Sequence, residues 1–285
     1  VHGSYNGLGA SAMGKGVLEM QLGFDSRATR DHPEWDSGDI LVLPPMDVAI
    51  TLRLLEGIGV KAACTILDPW YNKGVGGVRE DYDDFVQTLL SLSARISDHI
   101  FLWGFPEIVA RFVNKYPNGF VLTAWLTWYY KNNPSVIRGW RSSQMACLHL
   151  SKPEATLYPE HFLNESQIEK QAKGKLRFLP GPTSVIEAPL LVGFVGRHEQ
   201  TGHPAQKPEQ VFSQIIRMTT KSNDLVIDPM CGSGTTGAVA RKLGRRAILC
   251  DHSEEFIQIT ERRLGRNRID LCDLSERVTA MHGGS

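Results

Sequence analysis

The chain has 285 residues, 42% of them hydrophobic, with 31 Lys and Arg against 31 Asp and Glu. That is enough apolar material for one large domain or a domain with a lobe, and it excludes a disordered or disulfide-stapled chain. Its five cysteines, Cys64, Cys147, Cys231, Cys250 and Cys272, are odd in number, widely spaced and without a CxxC pair, so they fit buried thiols in a reducing compartment and predict no metal site.

No apolar run is long enough to span a bilayer and no charged-then-apolar leader opens the chain, so the reading is a soluble, cytoplasmic protein with no membrane partner. The neutral total conceals an uneven distribution. Residues 111–221 carry 14 Lys and Arg against 7 Asp and Glu, which is either the footprint of a polyanion site or an ordinary solvated face.

In chain order, residues 1–35 are rich in Gly and Ser and read as a flexible arm. Asp39 leads into the apolar run 40–43, and Val48, Leu52 and Leu55 mark a short helix. Residues 62–67 are apolar almost without alternation, as strands buried on both faces of a parallel sheet are. They end at Asp68-Pro69-Trp70-Tyr71-Asn72, an acid, a proline and rings at a strand end, where open α/β sheets place their ligands. The glycine-rich 73–78 reads as a mobile lid. Phe85, Leu89, Leu92 and Ile96 then make a helical stripe, 99–103 a strand, 106–116 a helix and 120–128 another strand.

From Tyr129 the texture changes. Lys131, Arg138 and Arg141 stand among Tyr129, Tyr130 and Trp140, a mixture suited to stacking and phosphate contact, or to a loop whose tryptophans fill the core's edge. After a strand at 144–150, residues 151–200 hold Lys173, Lys175 and Arg177 with several prolines and no long periodic run, and read as an inserted recognition region. His203 to Pro208 opens a helix over 209–219. The next stretch is Asp224 to Thr236: a strand ends at Asp228, and a turn of Met230, Cys231, Gly232, Ser233 and Gly234 enters a helix at Thr235 and Thr236. A following strand ends at Asp251, placed to accept ribose hydroxyls. Strand, Gly turn, helix, strand and acid make a nucleoside-cofactor half-site. The turn is neither a dinucleotide fingerprint nor a phosphate loop.

Taken together, Asp-Pro-Trp-Tyr-Asn, a basic middle, His-Pro-Ala-Gln-Lys-Pro and Asp-Pro-Met-Cys-Gly-Ser-Gly-Thr-Thr resemble the S-adenosylmethionine-dependent amino-group DNA methyltransferases in their beta-class motif order, over roughly residues 35–268. The resemblance implies an α/β fold with a doubly wound, mostly parallel Rossmann-like sheet. It divides the chain into a catalytic half at 36–150, a target-recognition insertion at 151–200, a cofactor half at 201–270 and a C-terminal tail at 271–285.

It further implies that Asp228 and the 230–236 turn hold S-adenosylmethionine, that Asp251 binds its ribose, that Lys207 sits near its carboxylate and that Asp39 approaches its adenine. Asp68 and the Pro69 carbonyl would accept from the target amine and Tyr71 would stack on the flipped base. Trp70 stands where the family has a second proline and would either reshape the cup or add a second ring to it. Lys131, Arg138, Arg141, Lys173, Lys175 and Arg177 would dock double-stranded DNA. The first-position Asp favours adenine N6 over cytosine N4. An RNA or protein methyltransferase, and a degenerate DNA-binding homologue with Trp70 blocking the base pocket, stay open, as do a monomer or homodimer and a restriction endonuclease counterpart.

Overall fold

The computed structural model describes residues 38–72, 77–133 and 139–282, the last three by backbone alone. The predicted arm at 1–35, most of the predicted lid and Arg138 lie outside the described residues.

The elements follow the predicted alternation. They are β1 (Ile40–Val42), α1 (Val48–Gly57), β2 (Ala62–Leu67), α2 (Tyr82–Ile96), β3 (Ser97–Gly104), the one-turn α3 (Pro106–Val109), β4 (Val121–Tyr129), β5 (Gln144–Ser151), α4 (Glu165–Ala172), β6 (Val185–Glu187), α5 (Glu209–Thr219), β7 (Leu225–Asp228), α6 (Thr235–Lys242), β8 (Arg246–Leu249), α7 (Glu254–Leu264) and α8 (Leu271–His282). The strands form one eight-stranded sheet in the order β1-β8-β7-β2-β3-β5-β4-β6. Only β5 runs against the others.

Apolar strands and helical stripes fill both layers. On one face Leu52 and Leu55 of α1 and Val86, Leu89 and Leu90 of α2 are fully buried; on the other, Val211 and Ile215 of α5 pack with Val239 and Ile257. The close seat of α6 on the sheet requires Gly237. A Cβ there would lie 2.6 Å from Leu249 Cδ1 and 3.0 Å from Leu264 Cδ1. Gly237→Ala is therefore expected to destabilise the fold by about 1–3 kcal/mol, measured by urea unfolding, because overpacking a filled core forces neighbouring side chains off their rotamers.

Three predictions change here. The helix expected over 106–116 is one α turn followed by a 3-10 turn at Ala110–Phe112. The segment expected to be an insertion contributes β6, paired with β4 from Thr127↔Val185 to Tyr129↔Glu187, because its Val-Ile-Glu run extends the open edge of the same sheet. The expected tail is mostly helix: α8 buries Leu274 and Val278 in the core, one helical turn apart.

Candidate active site

From the centre of the sheet, successive connections step outward in two directions. The chain goes from β2 to β3 on one side and from β7 to β8 on the other, so the crevice between β2 and β7 at their carboxyl ends is the topological switch point. Both acid motifs open there, Asp68 after β2 and Asp228 at the end of β7.

Asp228 is 3% exposed. It accepts from the Thr236 hydroxyl and, at 3.1 Å, from the Met230 N–H. Burial outweighs these two donors and, with Asp68 and Asp251 nearby, pushes its pKa up to about 7. The turn beyond it bends through Gly232 and Gly234, at φ 49° and 71°, a region that glycine enters without Cβ strain. Its Gly232 N–H donates to Asp251 Oδ2 at 3.0 Å, while Asp251 Oδ1 accepts from the Ser253 N–H at 3.0 Å. Cys231 and Cys250 bridge the two strand ends, N–H to carbonyl at 2.8 Å. The structure brings Asp228, Met230, Cys231, Gly232, Ser233, Gly234, Thr235, Thr236 and Asp251 together around one turn.

The Asp68-Pro69-Trp70-Tyr71 stretch faces it. Lys207 is buried to 2% exposure, and its Nζ makes an ion pair with Asp68 Oδ2 and donates to the Tyr71 hydroxyl at 3.2 Å. Burial works against the ammonium's charge, but Asp68 and Tyr71 more than offset it and raise the lysine's pKa above the ordinary value. Burial, reinforced by Asp68, also pushes the Tyr71 phenol up. The second oxygen of Asp68, Oδ1, is buried with no hydrogen-bond partner among the described residues. A buried carboxylate oxygen without a donor is costly in isolation, and a ligand N–H is the group that would satisfy it. Tyr71 leans on Phe105 with ring centroids 4.5 Å apart and reaches Met145 Sδ with its hydroxyl at 3.7 Å.

Trp70 turns the other way. Its ring packs against Tyr82 and Phe85 of α2, with centroids 5.6 and 5.3 Å apart, and its carbonyl accepts from the Tyr82 hydroxyl at 2.8 Å. The expected reshaping of the cup by Trp70 therefore becomes an anchor to α2. Its ring neighbours are thus different from those of Tyr71.

Asp39 does not join the site. It precedes β1, which is parallel to β8, so it stands at the amino edge of the sheet, where Arg266 lies 3.5 Å away. Lys207, expected beside the 230–236 turn, places its ammonium on Asp68 and Tyr71, while Thr235 Oγ1 of that turn donates to its carbonyl at 3.1 Å.

The predicted docking cations also divide. The loop after β4 leaves the carboxyl edge, carrying Lys131, paired with Glu187 at 2.5 Å, and the exposed Arg141 beside the fully exposed Trp140. Lys173, Lys175 and Arg177 are exposed but lie elsewhere. The chain before them is tied to the far end of α5 by the Tyr158 N–H on the Met218 carbonyl at 2.8 Å and by His161 on the Arg217 carbonyl at 2.7 Å. After them it returns to the same helix, where a Cβ at Gly181 would meet Met218 at 3.4 Å. α5 leads into β7 at the amino edge, so the segments flanking these three cations belong to that end of the molecule.

Sequence reasoning placed residues 188–200 in the recognition region but singled out no side chain among them. They follow β6 at the carboxyl edge and carry the exposed Phe194 with the Arg197 guanidinium 4.3 Å from its ring centroid. It also used no role for His203. That ring packs edge-on to Phe256 at 4.3 Å and sits where a Cβ on Gly232 would meet its Nε2 at 2.8 Å. An imidazole just before an Ala-Gln-Lys-Pro run was the available signal.

A family model described as DNA methylase matches residues 65–262. The chain belongs to the N6/N4 amino DNA methylase family. Among curated relatives it is similar to the type II methyltransferase M2.LlaDCHI of Lactococcus lactis subsp. cremoris, 48% identical over 64 residues, which are 22% of this chain and 24% of that protein. It is also similar to the type II methyltransferase M.HpaI of Haemophilus parainfluenzae, 27% identical over 165 residues, 56% of this chain and 50% of that protein. The chain thus spans between about a quarter and a half of these relatives' lengths. Among solved structures, the complex of M1.HpyAVI with SAM matches with a TM-score of 0.60 at 21% identity, over 79% of this chain and 98% of that one, which is a likeness of fold. The mostly parallel sheet expected from the sequence is the sheet of this family. Among the described residues no helix is long and apolar enough to cross a membrane.

Proposed function

We propose that this protein transfers a methyl group from S-adenosylmethionine to the exocyclic amine of a base flipped out of double-stranded DNA, adenine N6 in preference to cytosine N4, as the modifying enzyme of a type II restriction-modification system. The observation that carries the reading is Asp68: one oxygen is fixed by Lys207 while the other is buried without a donor, across the switch point from the Asp228 turn.

The residues fit the cofactor. The 230–236 turn leads into a helix N-terminus that offers unpaired N–H groups to a carboxylate, Asp228 suits its positive charges and Asp251 its ribose. The cofactor supplies an electrophilic methyl on sulfur. The chain's own residues deal with the amine, whose lone pair is delocalised into the base and must be localised before it attacks. Asp68 Oδ1 and the Pro69 carbonyl accept its two N–H groups and draw the nitrogen toward tetrahedral geometry. Lys207 supplies the counter-charge that holds Asp68 in place, and Tyr71, buttressed by Phe105, offers its ring to the base. Asp68 would take the proton that the amine sheds when it accepts the methyl group supplied by the bound cofactor. Catalysis of this kind is positioning and electrostatics.

A base reaches such a crevice only when extruded from the duplex. The carboxyl-edge rings and cations, Lys131, Trp140, Arg141, Phe194 and Arg197, support docking on that face, with a restriction endonuclease as the functional counterpart. The preference for adenine rests on the acid at position 68. Transfer of tritiated methyl groups to unmethylated duplex DNA, RNA and protein, followed by mass identification of the modified nucleoside, tests the proposal. N6-methyladenine in DNA is the expected product. Labelled RNA or protein with unlabelled DNA, or cofactor binding without any transfer, would overturn it.

A further inference from the structure

Behind the cofactor turn, α7 carries a cation that neither the catalytic nor the cofactor reading uses. Arg263 is a helix residue near the protein surface, yet its side chain is only 9% exposed. Nη1 donates to the Ser233 carbonyl at 3.2 Å and to Thr235 Oγ1 at 2.9 Å, with Ser233 Oγ at 3.5 Å, and Nη2 pairs with Glu209 Oε1 at 3.0 Å. Glu209 also pairs with Lys242, and its own N–H donates to Glu199 Oε2 at 3.0 Å.

These contacts close a circuit. Thr235, held by Arg263, donates through the same Oγ1 to the Lys207 carbonyl, and Glu209 lies two residues beyond Lys207. The guanidinium therefore grips the cofactor turn with one nitrogen and the segment that carries Lys207 with the other. One helical turn earlier on α7, Thr260 donates to the Gly232 carbonyl at 3.1 Å, so the turn's peptide planes are fixed from behind by the same helix. A planar fork spanning a carboxylate on one side and a carbonyl and hydroxyl on the other is a task for arginine and not for lysine, whose ammonium is a single point of charge.

We propose that Arg263 is a positioning residue that couples the cofactor turn to the Lys207–Asp68 pair, so that the two reacting halves keep a fixed separation. This rests on reading the 230–236 turn as the cofactor site. The test compares wild type, Arg263→Met, Thr235→Val, their double mutant and Asp251→Ala, with Arg262→Met at the exposed neighbouring position as control. Cofactor affinity is read by calorimetry, kcat by methyl transfer at saturating cofactor and stability by thermal unfolding.

Arg263→Met is expected to weaken cofactor binding and to lower kcat by about tenfold, the scale of losing charge-assisted hydrogen bonds. Thr235→Val should lower kcat similarly, and the double mutant should lose about tenfold, not a hundredfold, because both break one circuit. A merely structural role would lower the unfolding temperature and leave kcat of the folded fraction unchanged. Unchanged kcat, or multiplicative losses in the double mutant, overturns the brace. Should Arg263→Met not fold, Arg263→Lys, which keeps the charge opposite Glu209, carries the same test. If instead Asp251→Ala leaves cofactor affinity intact, the reading of the turn as the cofactor site fails, independently of Arg263.

Discussion

Asp68→Ala is expected to lower methyl transfer by on the order of 10²–10³ or more, as removal of a preorganised electrostatic contact does, and also to destabilise the fold. The second effect follows from Lys207. Its ammonium is 2% exposed and pairs with Asp68, itself 19% exposed. Removing the acid leaves a buried charge with only the Tyr71 hydroxyl for company, and breaking such a pair from one side costs about 3–5 kcal/mol. Partial exposure of Asp68 places the cost at the lower end. The pair should therefore separate the two effects. In Asp68→Ala/Lys207→Met the uncompensated charge is gone and most of the lost stability should return, while activity should not. Urea unfolding and tritium transfer on the same preparations check this. If the double variant is as unstable as Asp68→Ala, the ion pair is not what Asp68 contributes to folding. If Asp68→Ala retains methyl transfer with unchanged cofactor binding, Asp68 is not the amine's acceptor.

The same pair shows what a linear reading reaches. Asp68 and Asp228 were legible because each ends an apolar run too continuous for a one-sided strand, and because the Gly turn and Asp251 follow at a spacing that a β-α-β unit fixes. The partnership of Asp68 with Lys207 spans 139 positions and forms only because the β2–β7 pairing brings the two motifs to one crevice. Nothing local encodes it.

Asp39 shows the opposite case. It precedes its strand, and in a parallel sheet a residue before a strand lies at the amino edge, so the sequence held the information that separates it from Asp251. Lys173, Lys175 and Arg177 were grouped with the docking cations by charge. Their position is decided by Tyr158 and His161 against the far end of α5, contacts that composition cannot anticipate. Trp70 reads as an intrusion into the cup until Tyr82 and Phe85 are seen to receive it, since a side chain's direction after a strand end depends on the helix that packs behind it.

Cofactor affinity is expected to rise with pH up to about 7 and then level off. Asp228 is the cause. Its folded pKa is about 7 against an ordinary 3.8, burial being the largest contribution. For folding, the raised pKa means that the native state keeps a proton the unfolded chain has shed. The corresponding stability is fully present below about pH 4, falls as pH rises and is lost above about 7.

For binding, the sign reverses. A ligand carrying an ammonium and a sulfonium favours the ionised carboxylate, so below pH 7 binding must expel a proton, and one proton allows at most about a tenfold change in affinity per pH unit. The neighbouring groups are Asp68, Asp251 and His203. Burial holds the His203 imidazole below its ordinary value. Asp228→Asn removes the titrating carboxylate while keeping an acceptor for Thr236 or Met230. It should flatten the affinity profile between pH 5.5 and 8.5, weaken binding most at the alkaline end and abolish the decline in stability between pH 4 and 7. Calorimetry in buffers of different ionisation enthalpy counts the protons directly. A variant that keeps the wild-type slope would move the titration to His203 and leave Asp228 as a structural acid that bonds only Thr236 and the turn.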